Sequence, residues 1–188
     1  NYDPIGDTQY RVTNRLIHHY KDRALLLVSD RCATYCRHCF RRHFTGNRSG
    51  TISDTDLEKA ARYLEGHPEI EEVLLSGGDP LMLSDSDLRR CLERLREAGS
   101  ELVFRVCSRI PVVLPNRIAT SLARLLGAFR PLWFVTHANH PDEITPEFRE
   151  AIDRLLREGI SVLNQSVLLR GVNDDVDSLE QLFRALVR

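Results

Sequence analysis

The sequence predicts an α/β fold in which a parallel sheet curls into part of a barrel. Two observations support this prediction: short apolar runs alternate with segments of helical periodicity, and polar side chains follow directly after the apolar runs. Strands that alternate with helices of roughly 10 to 15 residues are typical of a parallel sheet. Right-handed crossovers curl such a sheet into a barrel. A doubly wound open sheet is the alternative.

Five apolar runs have the length expected of strands that are buried on both faces. They cover residues 24–28, 73–75, 102–106, 132–135 and 160–166. Residues 1–23 are mostly polar and contain Pro4 and Gly6, so we expect an irregular lead-in segment before the first strand. The barrel domain is predicted to cover residues 24–188.

Apolar residues recur at helical spacing between the predicted strands. Ser53 is expected to cap the first helix, Gly99 to close the second, and Thr145 with Pro146 to open the fourth. The apolar faces lie in residues 57–64, 88–95, 118–129, 148–156 and 179–186. These segments make about five βα units. A sixth strand is expected next, which suggests that the sequence is a fragment of a longer protein.

The bulk composition argues against some classes of partner. With 188 residues and a net charge of −1, the chain has no basic excess that would favour nucleic acid. No apolar run approaches the ~18 residues of a membrane span, so we expect no membrane partner. Three of the five cysteines lie within eight residues, which favours metal binding in a reducing cytoplasm over a disulfide framework.

Cys32, Cys36 and Cys39 follow the first predicted strand with the spacing Cys-x3-Cys-x2-Cys. Thiolates bind iron–sulfur clusters and zinc. Three cysteines on a [4Fe–4S] cubane leave one iron free to bind a small molecule, so this spacing favours a reactive cluster. Five arginines, two histidines and no carboxylate lie from Arg31 to Arg48. That basic stretch is either a solvated loop or a wall for anionic groups.

Polar residues follow each of the first four predicted strands and end the fifth. After the cysteine loop they are Ser76–Asp79, Ser108–Arg109, Thr136–His140 and Asn164–Ser166. Because ligands of parallel α/β folds sit at the carboxyl ends of the strands, we expect one shared site. Each feature alone has a simpler interpretation: Gly77-Gly78 suits a plain turn, and His137 suits a structural histidine. Cys91 and Cys107 are expected to pack in the core.

The cysteine motif, followed by Ser-Gly-Gly-Asp-Pro at residues 76–80, resembles the radical S-adenosylmethionine (SAM) enzymes. Three further stretches are similar to the lysine 2,3-aminomutase family. They are CRHCFRR at residues 36–42, HANHP at 137–141 and NQSVLLRGVND at 164–174. The resemblance runs from about Asp3 to the end of the chain. It implies a partial (βα)6 TIM-like barrel of the radical SAM type.

The resemblance implies a role for each residue at a matching position. These residues are Cys32, Cys36 and Cys39 for the [4Fe–4S] cluster; Gly77, Gly78, Asp79, His137 and Gln165 for SAM; Tyr20, Arg23 and His19 for the phosphate of pyridoxal phosphate (PLP); and Arg41 for the substrate carboxylate. The Gly-Gly-Asp motif would receive the methionine amino group. His19 stands where the family often has Arg or Lys. The lead-in segment would thus contribute to the PLP site.

The resemblance also implies a reaction, in which an isomerase moves the amino group of L-lysine from C2 to C3. A 5′-deoxyadenosyl radical made from SAM removes a hydrogen from lysine held by PLP. A one-electron reductant such as flavodoxin or ferredoxin is the implied partner, and the oligomeric state is left open, with a homo-oligomer as one option. Lys21 and Lys59 are the only lysines and do not match the family's PLP-anchoring motif. That lysine is expected beyond Arg188.

Three alternatives remain at this stage. Phe40 and His43 look like residues of relatives that modify a lysine on translation elongation factor P, and glutamate is a further substrate option. A non-enzymatic zinc module would use the three cysteines with His38 or His43. The zinc hypothesis leaves His137 and Gln165 without a function.

Overall fold

A computed structural model describes residues 3–46 and 50–187. Its sheet contains the strands β1 (Leu16–Tyr20), β2 (Arg23–Ser29), β3 (Glu72–Gly77), β4 (Val103–Cys107), β5 (Leu132–Thr136) and β6 (Ser161–Asn164). The strands follow one another in chain order across the sheet. Strands β2 to β6 are parallel, and β1 is antiparallel to β2. A doubly wound sheet would reverse its strand order at a switch point. The sequential order therefore confirms the partial barrel.

Each parallel strand is followed in the chain by one or more helices. They are α1 (Asp54–Glu65), α2 (Asp85–Ala98), the single turn α3 (Ile110–Val113), α4 (Thr120–Gly127), α5 (Pro146–Arg157) and α6 (Val176–Leu186). Two predicted caps are confirmed: Ser53 Oγ accepts from the Asp56 N–H at 3.1 Å, and Thr145 Oγ1 accepts from the Phe148 N–H at 3.2 Å. The turn α3 was not predicted, because four residues are too few to show a helical period.

The lead-in segment is a correction to the sequence prediction. Residues 1–23 were expected to be irregular, yet β1 forms a hairpin with β2, in which Leu16 pairs with Leu26 and Ile17 with Leu25. Leu16 and Ile17 are buried. Only two apolar residues mark this strand, and polar residues follow them at once, so its pattern was too short to recognise. Residues 1–2 of the lead-in, and Arg48 of the basic stretch, lie outside the described residues.

The two faces of the sheet differ in chemistry. In β4, Phe104 and Val106 are fully buried in the main hydrophobic core against the helices. Arg105 and Cys107, which alternate with them, line a cavity on the opposite face. Cys91 is fully buried in α2, which confirms its predicted core position, whereas Cys107 lies at the cavity. Among the described residues, no helix is long and apolar enough to cross a membrane.

Candidate active site

The sequence-predicted site residues converge on one cavity of about 680 Å³. It extends from the carboxyl ends of the parallel strands, where ligands of this architecture bind, to the β1–β2 hairpin. The residues lining it include Cys32, Cys36, Cys39, Gly77, Gly78, Asp79, His137, Gln165, His19, Tyr20, Arg23 and Arg41. The residues to which the sequence assigned roles therefore line one cavity, and the roles themselves stay predictions.

The three cysteines lie on one loop after β2 and are partly exposed, with no disulfide. Burial raises the pKa of the Cys32 thiol to about 12, so binding of a metal there releases a proton. Across the described ranges, no three Cys, His, Asp or Glu side chains are arranged around a single metal ion. In a cubane each cysteine binds a different iron, so three thiols on one cavity wall fit that group through their donor chemistry.

Gly77 and Gly78 allow the end of β3 to approach the start of the cysteine loop. The N–H of Gly78 donates to the Ser29 carbonyl at 2.6 Å, and the N–H of Asp79 donates to the Arg31 carbonyl at 2.7 Å. A Cβ on Gly77 would lie 2.4 Å from the Ser29 oxygen, and one on Gly78 would lie 2.4 Å from the Arg31 oxygen. Any side chain would displace this backbone. The glycines thus position the residues that lead into Cys32.

Asp79 has a buried carboxylate that accepts hydrogen bonds from two loops of the protein. Its Oδ1 accepts from Ser108 Oγ at 2.8 Å and from the Leu81 N–H at 3.0 Å, while Oδ2 accepts from the Arg109 N–H at 2.8 Å. Burial raises the pKa of Asp79 above its ordinary value, although these bonds favour the ionised form. The carboxylate therefore ties the loop after β3 to the loop after β4.

His137 and Gln165 reach the cavity from the ends of β5 and β6. Burial lowers the pKa of His137, with the charge of Arg109 acting in the same direction, so its imidazole is neutral near pH 7. A neutral imidazole both donates and accepts a hydrogen bond. The backbone N–H of Gln165 donates to the Thr136 carbonyl at 2.9 Å, which fixes the position of this cavity-lining residue after β6.

Arg109 joins the cysteine loop to the loop after β5, a connection that the sequence did not reveal. Its Nη1 donates to Cys36 Sγ at 3.0 Å, and its Nη2 contacts Glu143 Oε1 at 2.7 Å. The other oxygen of Glu143 accepts from the Asn139 N–H at 2.6 Å. Because Arg109 follows the third predicted strand, the sequence identified it as a candidate site residue. No sequence pattern identified Glu143 as its partner.

Arg41 is held by a residue that sequence reasoning missed. Its Nε donates to Asp7 Oδ2 at 3.0 Å, and both side chains are largely buried. Asp7 is the only ion-pair partner of Arg41 within the described residues. Other arginines of the basic stretch, Arg37 and Arg42, are exposed. The stretch is thus divided between a solvated surface and a cavity wall.

The predicted phosphate-binding residues lie together at the hairpin of β1 and β2. His19 stacks between Tyr10 and Tyr20, with ring centroids 3.6 Å and 4.6 Å away. Arg23 makes two hydrogen bonds to Asp22, at 2.8 Å and 3.0 Å, and its Nη1 lies 4.0 Å from Glu72. A phosphate at this position would share the Arg23 guanidinium with these carboxylates.

Asn173 ties the loop after β6 to the loop after β5. It is fully buried, and its Nδ2 donates to the carbonyls of Asn139 at 2.7 Å and Val167 at 2.9 Å. Its Oδ1 accepts from the Leu169 N–H at 2.7 Å. Asn139 Oδ1 in turn accepts from the Val167 N–H at 2.7 Å. These bonds fix the two loops relative to each other.

Asn173→Ala is expected to lower the free energy of unfolding by about 3 kcal/mol, because three backbone groups lose their partners, one in a buried bond and two in partly buried bonds. Urea unfolding monitored by circular dichroism measures the change. The exposed Asn116→Ala is the matched control and is expected to stay within about 0.5 kcal/mol of the wild type. Equal stability of the two variants would contradict this account of the loop.

Two curated proteins are similar to this chain in sequence over almost its whole length. The L-lysine 2,3-aminomutase of Fusobacterium nucleatum subsp. nucleatum is 42% identical over 185 residues, covering 98% of this chain and 44% of that protein. The L-lysine 2,3-aminomutase of Clostridium subterminale is 43% identical over 186 residues, covering 99% of this chain and 45% of that protein. The chain thus spans about half the length of the curated relatives it matches.

A solved structure and a family model also match this chain. The solved structure of histidine-tagged anSMEcpe with bound AdoMet matches with a TM-score of 0.67 at 13% identity, covering 87% of this chain and 48% of that one. At this identity the match shows the fold alone. The family model of the radical SAM superfamily matches residues 26–183. Because that match spans most of the barrel, the chain belongs to the radical SAM superfamily, which implies a [4Fe–4S] cluster and SAM.

Proposed function

We propose that this chain is the radical-generating part of an amino-acid 2,3-aminomutase that acts on L-lysine with PLP. The observation that carries the proposal is the single cavity that brings the cysteine loop together with Tyr20, Arg23 and Arg41. Identity of 42% to an L-lysine 2,3-aminomutase over almost the whole chain supports the same activity. We place the enzyme in a reducing cytoplasm, where its thiols stay free.

Each wall of the cavity has a separate task in this proposal. Cys32, Cys36 and Cys39 hold the cluster. The backbone of Gly77 and Gly78, positioned by Asp79, receives the methionine amino group of SAM. His137 and Gln165 offer neutral hydrogen-bonding groups to the rest of SAM. When bound, the cluster and SAM supply a carbon radical, and PLP carries the amino group that migrates.

The substrate end of the cavity is proposed to recognise anions. Tyr20, Arg23 and His19, which belong to the lead-in segment, would hold the PLP phosphate. Arg41 would pair with the substrate carboxylate, since a guanidinium binds a carboxylate through two parallel hydrogen bonds. A flavodoxin or ferredoxin is the proposed electron donor. The proposed phosphate residues lie at the β1–β2 hairpin, whereas Arg41 lies on the loop after β2 that carries the three cysteines.

The test uses the full natural protein, purified and reconstituted without oxygen. Incubated with L-lysine, SAM, PLP and dithionite, it is expected to form β-lysine, which mass spectrometry of the derivatised product detects. L-glutamate and elongation factor P are parallel substrates. Turnover of either one without turnover of lysine would replace the proposed substrate. Colourless protein with one zinc and no activity would favour the zinc module.

A further inference from the structure

We infer that Arg109 sets the reduction potential of the cluster through Cys36, and that Glu143 moderates this effect. The inference rests on the proposed cluster-binding role of the three cysteines. Arg109 Nη1 donates to Cys36 Sγ at 3.0 Å, so a full positive charge lies in contact with one of the proposed iron ligands. Neither the radical chemistry nor the SAM contacts proposed above require this bond.

Both ends of Arg109 are fixed, so the contact with Cys36 is built into the fold. Its backbone N–H donates to Asp79 Oδ2 at 2.8 Å, and its Nη2 contacts Glu143 Oε1 at 2.7 Å. Glu143 is held in turn by the Asn139 N–H. The Arg109 side chain is 20% exposed and that of Glu143 is 24% exposed. Water screens such largely buried charges less than it screens surface charges.

The direction in which Arg109 shifts the reduction potential follows from its positive charge. Reduction adds one electron from a low-potential one-electron donor to the cluster, and no bond forms or breaks in this step. The added negative charge spreads onto the cysteine sulfurs. A cation that donates a hydrogen bond to one of these sulfurs stabilises the reduced form and raises the potential. Glu143 opposes this effect, because its carboxylate neutralises part of the Arg109 charge.

The test measures the midpoint potential of the reconstituted cluster in the full protein, without SAM or substrate, by an EPR-monitored dithionite titration. Arg109→Gln is expected to shift the reduction equilibrium about tenfold toward the oxidised form, which is ~59 mV for a one-electron couple. Glu143→Gln is expected to shift it in the opposite direction by several-fold. Arg109→Lys, which keeps the charge, is expected to shift it by less than half as much as Arg109→Gln.

The opposite shifts in potential expected for Arg109→Gln and Glu143→Gln distinguish an electrostatic role of Arg109 from a purely structural one. The exposed Arg157→Gln on α5 is the matched control and is expected to leave the potential unchanged. Equal potentials in all variants, or shifts of Arg109→Gln and Glu143→Gln in the same direction, overturn the inference. If Arg109→Gln binds no cluster, Glu143→Gln decides the outcome: a raised potential supports the inference, and an unchanged or lowered potential overturns it. If the cysteines do not bind a cluster at all, the wild-type protein also holds no iron. That result is therefore distinguishable from failure of the inference about the reduction potential.

Discussion

Gly78→Ala is expected to reduce cluster loading to less than half of the wild-type iron content and to abolish most of the activity. The alanine Cβ would lie 2.4 Å from the Arg31 oxygen and 2.8 Å from the Arg31 nitrogen. Both atoms belong to backbone, which cannot rotate away as a side chain can. The Arg31 peptide must shift, and Cys32 shifts with it. We expect a loss of stability of about 3 kcal/mol, within the range of overpacked sites.

Iron and sulfide analysis after anaerobic reconstitution measures the loading, and thermal unfolding measures the stability. Gly66→Ala is the matched control. It ends α1 in a right-handed conformation, and its added Cβ would meet atoms no closer than 3.6 Å. That variant is expected to keep full iron content. Full loading of Gly78→Ala would contradict the role of this close approach in placing Cys32.

Arg41→Ala is expected to lower kcat/KM for L-lysine by roughly ten- to a hundredfold while the iron content stays at the wild-type value. A charge-assisted hydrogen bond is worth ~1.5–3 kcal/mol, and its loss appears in kcat/KM. Stability should fall as well, because Asp7 then becomes a buried carboxylate without a cation. Steady-state kinetics and urea unfolding measure the two effects separately.

A double variant separates binding from stability. Asp7→Ala combined with Arg41→Ala removes both charges, so we expect the stability to recover while the activity stays low. Asp7→Ala alone leaves the guanidinium but removes its fixed orientation, and a smaller loss of kcat/KM is expected. Wild-type turnover by Arg41→Ala with an intact cluster would remove Arg41 from the substrate site.

The sequence predicted the order of the parallel strands and most of the helices, because the strands appear as short apolar runs and the helices as segments of helical periodicity. The caps at Ser53 and Thr145 were found where the local motif placed them. The strand β1 was missed, since a strand marked by only two buried residues has no recognisable pattern. The strand order also predicted that polar residues after the strands share one rim, because the topology brings the carboxyl ends of parallel strands together. His19, Tyr20 and Arg23 lie at the β1–β2 hairpin instead, and only the family resemblance pointed to them.

Pairing between distant residues could not be predicted in the same way. Asp7 meets Arg41 across 34 positions, and Arg109 meets Cys36 across 73. No local spacing records such contacts, because they depend on how loops from different strands pack. Likewise, the sequence predicts that the Gly-Gly-Asp motif receives an amino group. In the fold, the Asp79 carboxylate accepts hydrogen bonds from Ser108 and from two backbone N–H groups.

The sequence by itself determined the family and the order of the parallel strands, and it predicted the cysteine loop as the cluster site, because motifs and periodicity are local properties. The tertiary structure alone decided which charges meet. It placed Arg109 between Cys36 and Glu143, and Arg41 against Asp7. The physical reason is that the strength and sign of an electrostatic interaction depend on distance and burial, and both are fixed only when the chain packs.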